Sequence, residues 1–137
     1  IFIKYTPFFY NYQIIIYMNV IIGTKNFNGE LMSTPNELQR GMMGRTSLDG
    51  CMIFKMGKGH HSFWMKGCLI NLDIVFVLNN RISRIHHNCP APDRHQMTLP
   101  RYTGFGDYVL EFPGGTALDF KEGERVTMYL GTPQNPI

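Results

Sequence analysis

A chain of 137 residues has room for one domain and can hide about two-thirds of its unfolded surface, enough for an independent core. Its formal net charge of +3 is spread along the sequence, with no basic run, base-stacking motif or helix-turn-helix pattern, which argues against nucleic-acid binding. The three cysteines, Cys51, Cys68 and Cys89, are widely spaced and form no Cys-x-x-Cys. They read as reduced, packed thiols rather than a disulfide framework, and with them a cytoplasmic setting is expected.

Residues 1–17 differ from the rest, being rich in Ile, Phe, Tyr and Asn and devoid of Gly, Asp, Glu and Arg. Met18 follows directly. We expect 1–17 to be an upstream-translated or non-core extension, 18–132 to be a single β domain and 133–137 to be a frayed tail. If 1–22 were instead a signal or anchor, the protein would be exported. Pro7, Asn11, Gln13 and Asn19 interrupt that span, however, and it offers no uninterrupted run of about twenty apolar residues. No membrane association is expected. If the extension folds, it adds an edge strand or a partner-binding arm.

Met18–Ile22 reads as a strand, Asn26–Gly29 as turn residues and Glu30–Met32 as a short strand. Thr34-Pro35-Asn36-Glu37 is a capping box with Pro at the first helical position, and Gly41 and Gly44 limit the helix to about two turns. Cys51–Phe54 is a short buried strand, Gly57-Lys58-Gly59 a turn, and Ser62–Lys66 a strand with Phe63 and Met65 on one face and Trp64 and Lys66 on the other. Asp73–Leu78 and Arg81–His86 flank Asn79-Asn80, a pair able to take the positive φ of a two-residue hairpin. Asn88–Tyr102, with three prolines, is a long irregular loop. Tyr108–Phe112 and Arg125–Leu130 are the last strands, with a turn at Pro113-Gly114-Gly115 and a helical turn at Ala117–Phe120. The fold class is therefore mainly β: an antiparallel β-sandwich or small barrel with one short helix in the N-terminal half.

Five polar or amphipathic residues are embedded in these apolar segments: Arg45, Trp64, Lys66, Asp73 and Glu111. In one reading they line a single concave site, with Trp64 as a flat wall, Arg45 and Lys66 as anion donors, and a carboxylate that orients them. In the other, Asp73 and Glu111 satisfy Arg45, Lys66 or loop amides and pin the helix to the sheet, which needs no further assumption. The pairs His60-His61 and His86-His87 point to opposite strand faces and cannot readily share an ion, so no metal and no cofactor are expected. Lys66 could lower the pKa of Cys68, although a buried inert thiol is the simpler reading. There is no Gly-x-Ser-x-Gly and no Gly-x-x-x-x-Gly-Lys-Ser/Thr.

From about Leu31 to Val126 the ordered motifs resemble the domain-of-unknown-function 192 family. They are Arg40-Gly41-Met42-Met43 with Arg45; Cys51-Met52-Ile53-Phe54; Phe63-Trp64-Met65-Lys66; Leu72-Asp73-Ile74-Val75-Phe76; and Val109-Leu110-Glu111 with Pro113 and Gly115-Thr116. The chain departs from that pattern at Gly67-Cys68, where the family usually has Asn-Thr. The resemblance implies a compact mainly-β fold carrying one helix, and no established activity; compact members without signal peptides occur in bacteriophage genomes, and the chain from Met18 looks like that type.

The function expected is that of a non-enzymatic module binding a small anionic or sugar-like ligand, or a protein partner, around Trp64 and Lys66. The alternatives are a structural or interaction protein whose buried charges only stabilise the fold, and an enzyme using Asp73 or Glu111 as general base.

Overall fold

The computed structural model describes residues 3–8 and 11–131, with side chains from Ile14 onward. Eight strands and one helix follow in the order β1 (Ile3–Phe8), β2 (Asn11–Ile22), β3 (Lys25–Met32), α1 (Pro35–Arg40), β4 (Cys51–Phe63), β5 (Leu72–Leu78), β6 (Arg81–Cys89), β7 (Tyr102–Pro113) and β8 (Val126–Leu130). They form one sheet in the order β1-β2-β3-β4-β7-β5-β6, with β8 on the same edge of β2 as β1. All strand pairs are antiparallel except β3 and β4.

The sheet curls into a half-barrel rather than splitting into two packed layers. Its ends meet where Arg81 bridges Arg125, where the Ile82 amide donates to the Glu124 carbonyl (2.9 Å), and where the Val126 amide donates to the Asn80 carbonyl (2.8 Å). Residues 132–137, which include the expected frayed tail, lie outside the described residues. β2 is continuous from Asn11 to Ile22, so the strand carrying Met18 also carries residues that precede it. Among the described residues no helix is long and apolar enough to cross a membrane.

Several local expectations hold. Thr34 caps α1 through its hydroxyl, which accepts from the Glu37 amide (3.3 Å), while Glu37 accepts from the Thr34 amide (3.0 Å). Asn79 and Asn80 both take positive φ, 50° and 63°, which matches the right-handed strand twist across a two-residue turn. Three boundaries move. The β2–β3 hairpin turns at Gly23-Thr24, not within Asn26–Gly29, because Ile22 already pairs with Lys25. Gly57-Lys58-Gly59 is not a turn: β4 runs through it as an irregularity, with Lys55 opposite Tyr108 and Gly59 opposite Gly106. β4 then stops at Phe63, so Trp64–Lys66 is not strand.

Two apolar cores lie on opposite faces of the central strands β4, β7 and β5. Alternation along each strand divides the residues. Ile53, Val75, Val77, Leu110 and Phe112 point into the curl of the sheet, with Val20, Ile22 and Phe120. Met52, Phe54, Ile74, Phe76 and Val109 point outward, where Met42, Leu48, Met65 and Cys68 cover them. Burial on both faces explains why β5 reads as an almost unbroken apolar run.

Asp73 interrupts that run and is fully buried. It pairs with neither Arg45 nor Lys66. Its carboxylate accepts from three backbone amides, those of Asn88 (2.6 Å), Gly115 (3.0 Å) and Ala117 (2.7 Å). Asn88 sits at positive φ where β6 shifts register against β5, and Gly115 lies in the turn after β7. Asp73 therefore fastens a β6 irregularity and the 113–117 turn to the middle of the sheet. Arg45 has a separate structural role. Its guanidinium makes a bidentate pair with Glu30 of β3 (2.8 and 2.9 Å) and ties the segment after α1 to the sheet.

Asp73→Ala should destabilise the fold by about 3–5 kcal/mol, because three amides lose their acceptor in a dry setting. Arg45→Ala should cost about 1–2 kcal/mol, because that pair is reached by solvent on the arginine side. Urea unfolding of both variants checks the order, and a larger loss for Arg45→Ala would contradict it.

Candidate functional site

A pocket of about 200 Å³ opens on the outer face of the sheet, between the end of α1, β4 and the segment that follows β4. Its walls are largely apolar, built from Leu38, Met42, Met43, Phe54, Met56 and Phe63. Phe63 packs edge-to-face on Phe54 (centroids 5.1 Å apart), which fixes the direction in which β4 delivers Trp64. The chain then turns: the Cys68 amide donates to the Met65 carbonyl (3.0 Å), and the Gly44 amide donates to the Gly67 carbonyl (2.9 Å). This second bond clasps the loop to the turn after α1. Gly67 has φ +71°, a conformation that Asn tolerates better than most side chains, so the chain's departure to Gly at this position keeps the local backbone possible.

Trp64 is 40% exposed and forms one wall of the pocket. The Arg101 guanidinium lies over its ring at 4.0 Å from the centroid, and the Lys66 ammonium lies at 5.1 Å. Both contacts fall within cation–π range. Arg40, Lys66 and Arg101 all line the pocket, so it has a cationic lining around a flat aromatic surface.

Glu111 is the acidic member of the lining. It sits on β7 between Met52 of β4 and Ile74 of β5 and is only 4% exposed. Burial alone pushes its carboxyl up to about 8 from an ordinary 4.5. The site therefore presents a carboxylic acid that is substantially neutral near pH 7 and can donate a hydrogen bond. Cys68 also lines the pocket, but its thiol is pushed up to about 12, first by burial and then by the nearby Glu111. Proximity to Lys66 does not activate it. Cys89 is raised to about 11 by burial and by Asp73 and Glu111. Both are poor nucleophiles in this state.

Of the five residues singled out in the sequence, the structure brings Trp64, Lys66 and Glu111 together. Arg45 is absent from the group because Glu30 holds its guanidinium, and Asp73 because its oxygens face loop amides. Arg101 was missed. Its signal lies in strand register: Phe63 pairs with Tyr102, which sets Trp64 and Arg101 side by side just beyond the ladder. The histidines remain dispersed in contacts of their own. His60 packs on Phe105, His61 meets the Gly57 carbonyl and His86 meets the Thr103 carbonyl. Among the described residues no three His, Cys, Asp or Glu side chains gather as metal ligands.

The raised Glu111 carboxyl fixes the sign of a pH effect. The folded state holds this proton more tightly than the unfolded chain, so its stabilising contribution is complete below about 4.5 and is lost as pH rises through about 8. Glu111→Gln removes the penalty for charging the site. In urea unfolding, the stability of Glu111→Gln relative to the parent should rise by about 2 kcal/mol or more between pH 5 and pH 9. A difference that stays constant with pH would show that Glu111 is not the titrating group.

Two solved structures share this architecture. A protein of unknown function from Novosphingobium aromaticivorans superposes with a TM-score of 0.68 at 29% identity, over 90% of this chain and 92% of its own. A Sinorhizobium meliloti protein, described provisionally as a transcription regulator, has a TM-score of 0.68 at 26% identity, over 83% of this chain and 93% of its own. No curated protein matches. The model of the DUF192 family, described as "Uncharacterized ACR", matches residues 18–128, and the chain belongs to that family.

Proposed function

We propose that this protein is a small-ligand binding module whose ligand is a compact anion with an apolar body. One observation carries the reading: Trp64, flanked by Lys66 and Arg101, lines the same pocket as the buried acid Glu111. Toward a ligand the lining offers mostly donors, namely ammonium, guanidinium and a protonated carboxyl. These suit a carboxylate or phosphate group. The remaining wall is Met and Phe, and methionine adapts to irregular apolar shapes. A sugar would need more polar side chains spread around its ring than this wall supplies. Size narrows the choice further. A cavity of roughly 150 Å³ accommodates benzene, so this pocket suits a single ring or a short branched chain with an anionic head.

An enzymatic reading has one specific observation in its favour. A carboxyl poised near neutral pH inside a cleft is what a general acid or base requires. Glu111 takes the place that sequence reasoning left open between Asp73 and Glu111, because Asp73 is fully engaged by backbone amides. Ligand binding needs no second catalytic group, and for that reason it is the reading preferred.

The chain has a single Trp, so intrinsic fluorescence reports from the pocket directly. Titration with benzoate, phenyl phosphate, benzamide and glucose should give a saturable change with the two anions, a weaker one with benzamide and none with glucose. Lys66→Ala and Arg101→Ala should each weaken benzoate binding about tenfold, the effect of losing one charge-assisted hydrogen bond. A response to glucose alone, or a benzoate response that survives removal of both cations, would refute the anion reading.

A further inference from the structure

We propose that the pocket takes up its anion together with a proton held on Glu111, so that affinity for the anion falls as the medium becomes alkaline. This rests on the ligand reading above and specifies how the site is regulated. Glu111 lines the same pocket of about 200 Å³ that the ligand would fill, so two negative charges would be enclosed together there. Two negative charges about 6 Å apart near a protein surface repel strongly enough to weaken binding on the order of a hundredfold. Neutral Glu111 removes the repulsion and adds an O–H donor to the pocket lining.

The surrounding groups leave Glu111 as the residue that changes charge. From α1 comes Arg40, from the segment after β4 come Lys66 and Cys68, from the residue before β7 comes Arg101, and from β6 comes Cys89. The two thiols hold their protons, at about 12 for Cys68 and about 11 for Cys89. The three cations line the pocket, yet the shift of Glu111 is set by burial, with neither a cation nor a hydrogen bond offsetting it. This is a consequence of position. The carboxyl rises from the middle of the sheet, between Met52 and Ile74, while the basic groups come from α1 and the connecting segments. The proton balance is simple: above about pH 8 the ionised carboxylate, one proton from solvent and the anion combine, and the only bond formed is the carboxyl O–H.

The test uses the full chain with benzoate as probe. Calorimetric titration at pH 6, 7.5 and 9, each in two buffers of different ionisation heat, gives both affinity and protons exchanged. Affinity should be flat from pH 6 to 7 and then fall, approaching tenfold per pH unit above 8. Close to one proton should be taken up at pH 9 and none at pH 6. Glu111→Gln should bind benzoate with an affinity that does not change over this range. Proton uptake in the parent protein supports the proposal independently of how that variant folds. Benzoate binding without pH dependence or proton uptake overturns the proton coupling and leaves the pocket reading in place, as does a slope that persists in Glu111→Gln. Absence of benzoate binding at every pH overturns both.

Discussion

Burial on both faces of β5, of Cys51–Phe54 in β4 and of Val109–Phe112 in β7 is the constraint on which the rest of the molecule depends. One face closes the half-barrel around Val75, Leu110 and Phe112; the other carries Phe54, Ile74 and Phe76 beneath the α1 region and the loop after β4. In strands buried on both sides there is no solvent face on which to place a polar side chain. Each polar group that remains has to be satisfied internally or kept uncharged, since an unpaired buried charge costs several kcal/mol. Asp73 and Glu111 are the carboxyls of these strands held in that position, and the chain resolves them in opposite ways.

The pocket arises over the outer core. The inner core is enclosed by the curl of the sheet together with Ala117 and Phe120. The outer one is covered by a helix of six residues, the turn that follows it and an irregular segment clasped by the Gly44–Gly67 hydrogen bond. A cover assembled from short pieces leaves a gap at its seam, and the seam runs over β7 at Glu111. The basic residues around it come from the cover, and the acid comes from the sheet. Loops and element ends carry the groups that meet solvent, while the rigid scaffold carries the group whose chemistry depends on burial.

Much of this was legible in the sequence wherever local chemistry is strong. The capping box at Thr34, the Asn79-Asn80 hairpin and the apolar run of β5 each have a direct physical cause within a few residues. The family motifs also drew attention to Trp64, Lys66 and Glu111. What remained hidden depends on long-range pairing. Glycine at 57 and 59 reads as a turn because it is flexible, but β7 supplies a partner on both sides of the irregularity and the strand continues. Only when β4 and β7 are seen as one long ladder does Arg101 fall beside Trp64. In the same way, no periodicity within β5 reveals that Asp73 faces amides from residues 88, 115 and 117. Arg45 reads as a ligand donor because its partner, Glu30, lies fifteen residues away in β3.

Asp73 and Glu111 show how two buried carboxyls can be accommodated in different ways. Asp73 is saturated by three amides at hydrogen-bonding distance, and any further ligand would have to displace backbone. Those three bonds fix it in place. Glu111 has burial without such compensation, and its proton affinity rises accordingly. A group in that state costs stability at the pH where most proteins work, since the folded chain has to hold a proton that the unfolded chain releases. A Gln at this position would fill nearly the same volume without the penalty. If the pocket binds an anion as proposed, that penalty has a use: the proton held at Glu111 serves the bound molecule rather than the fold.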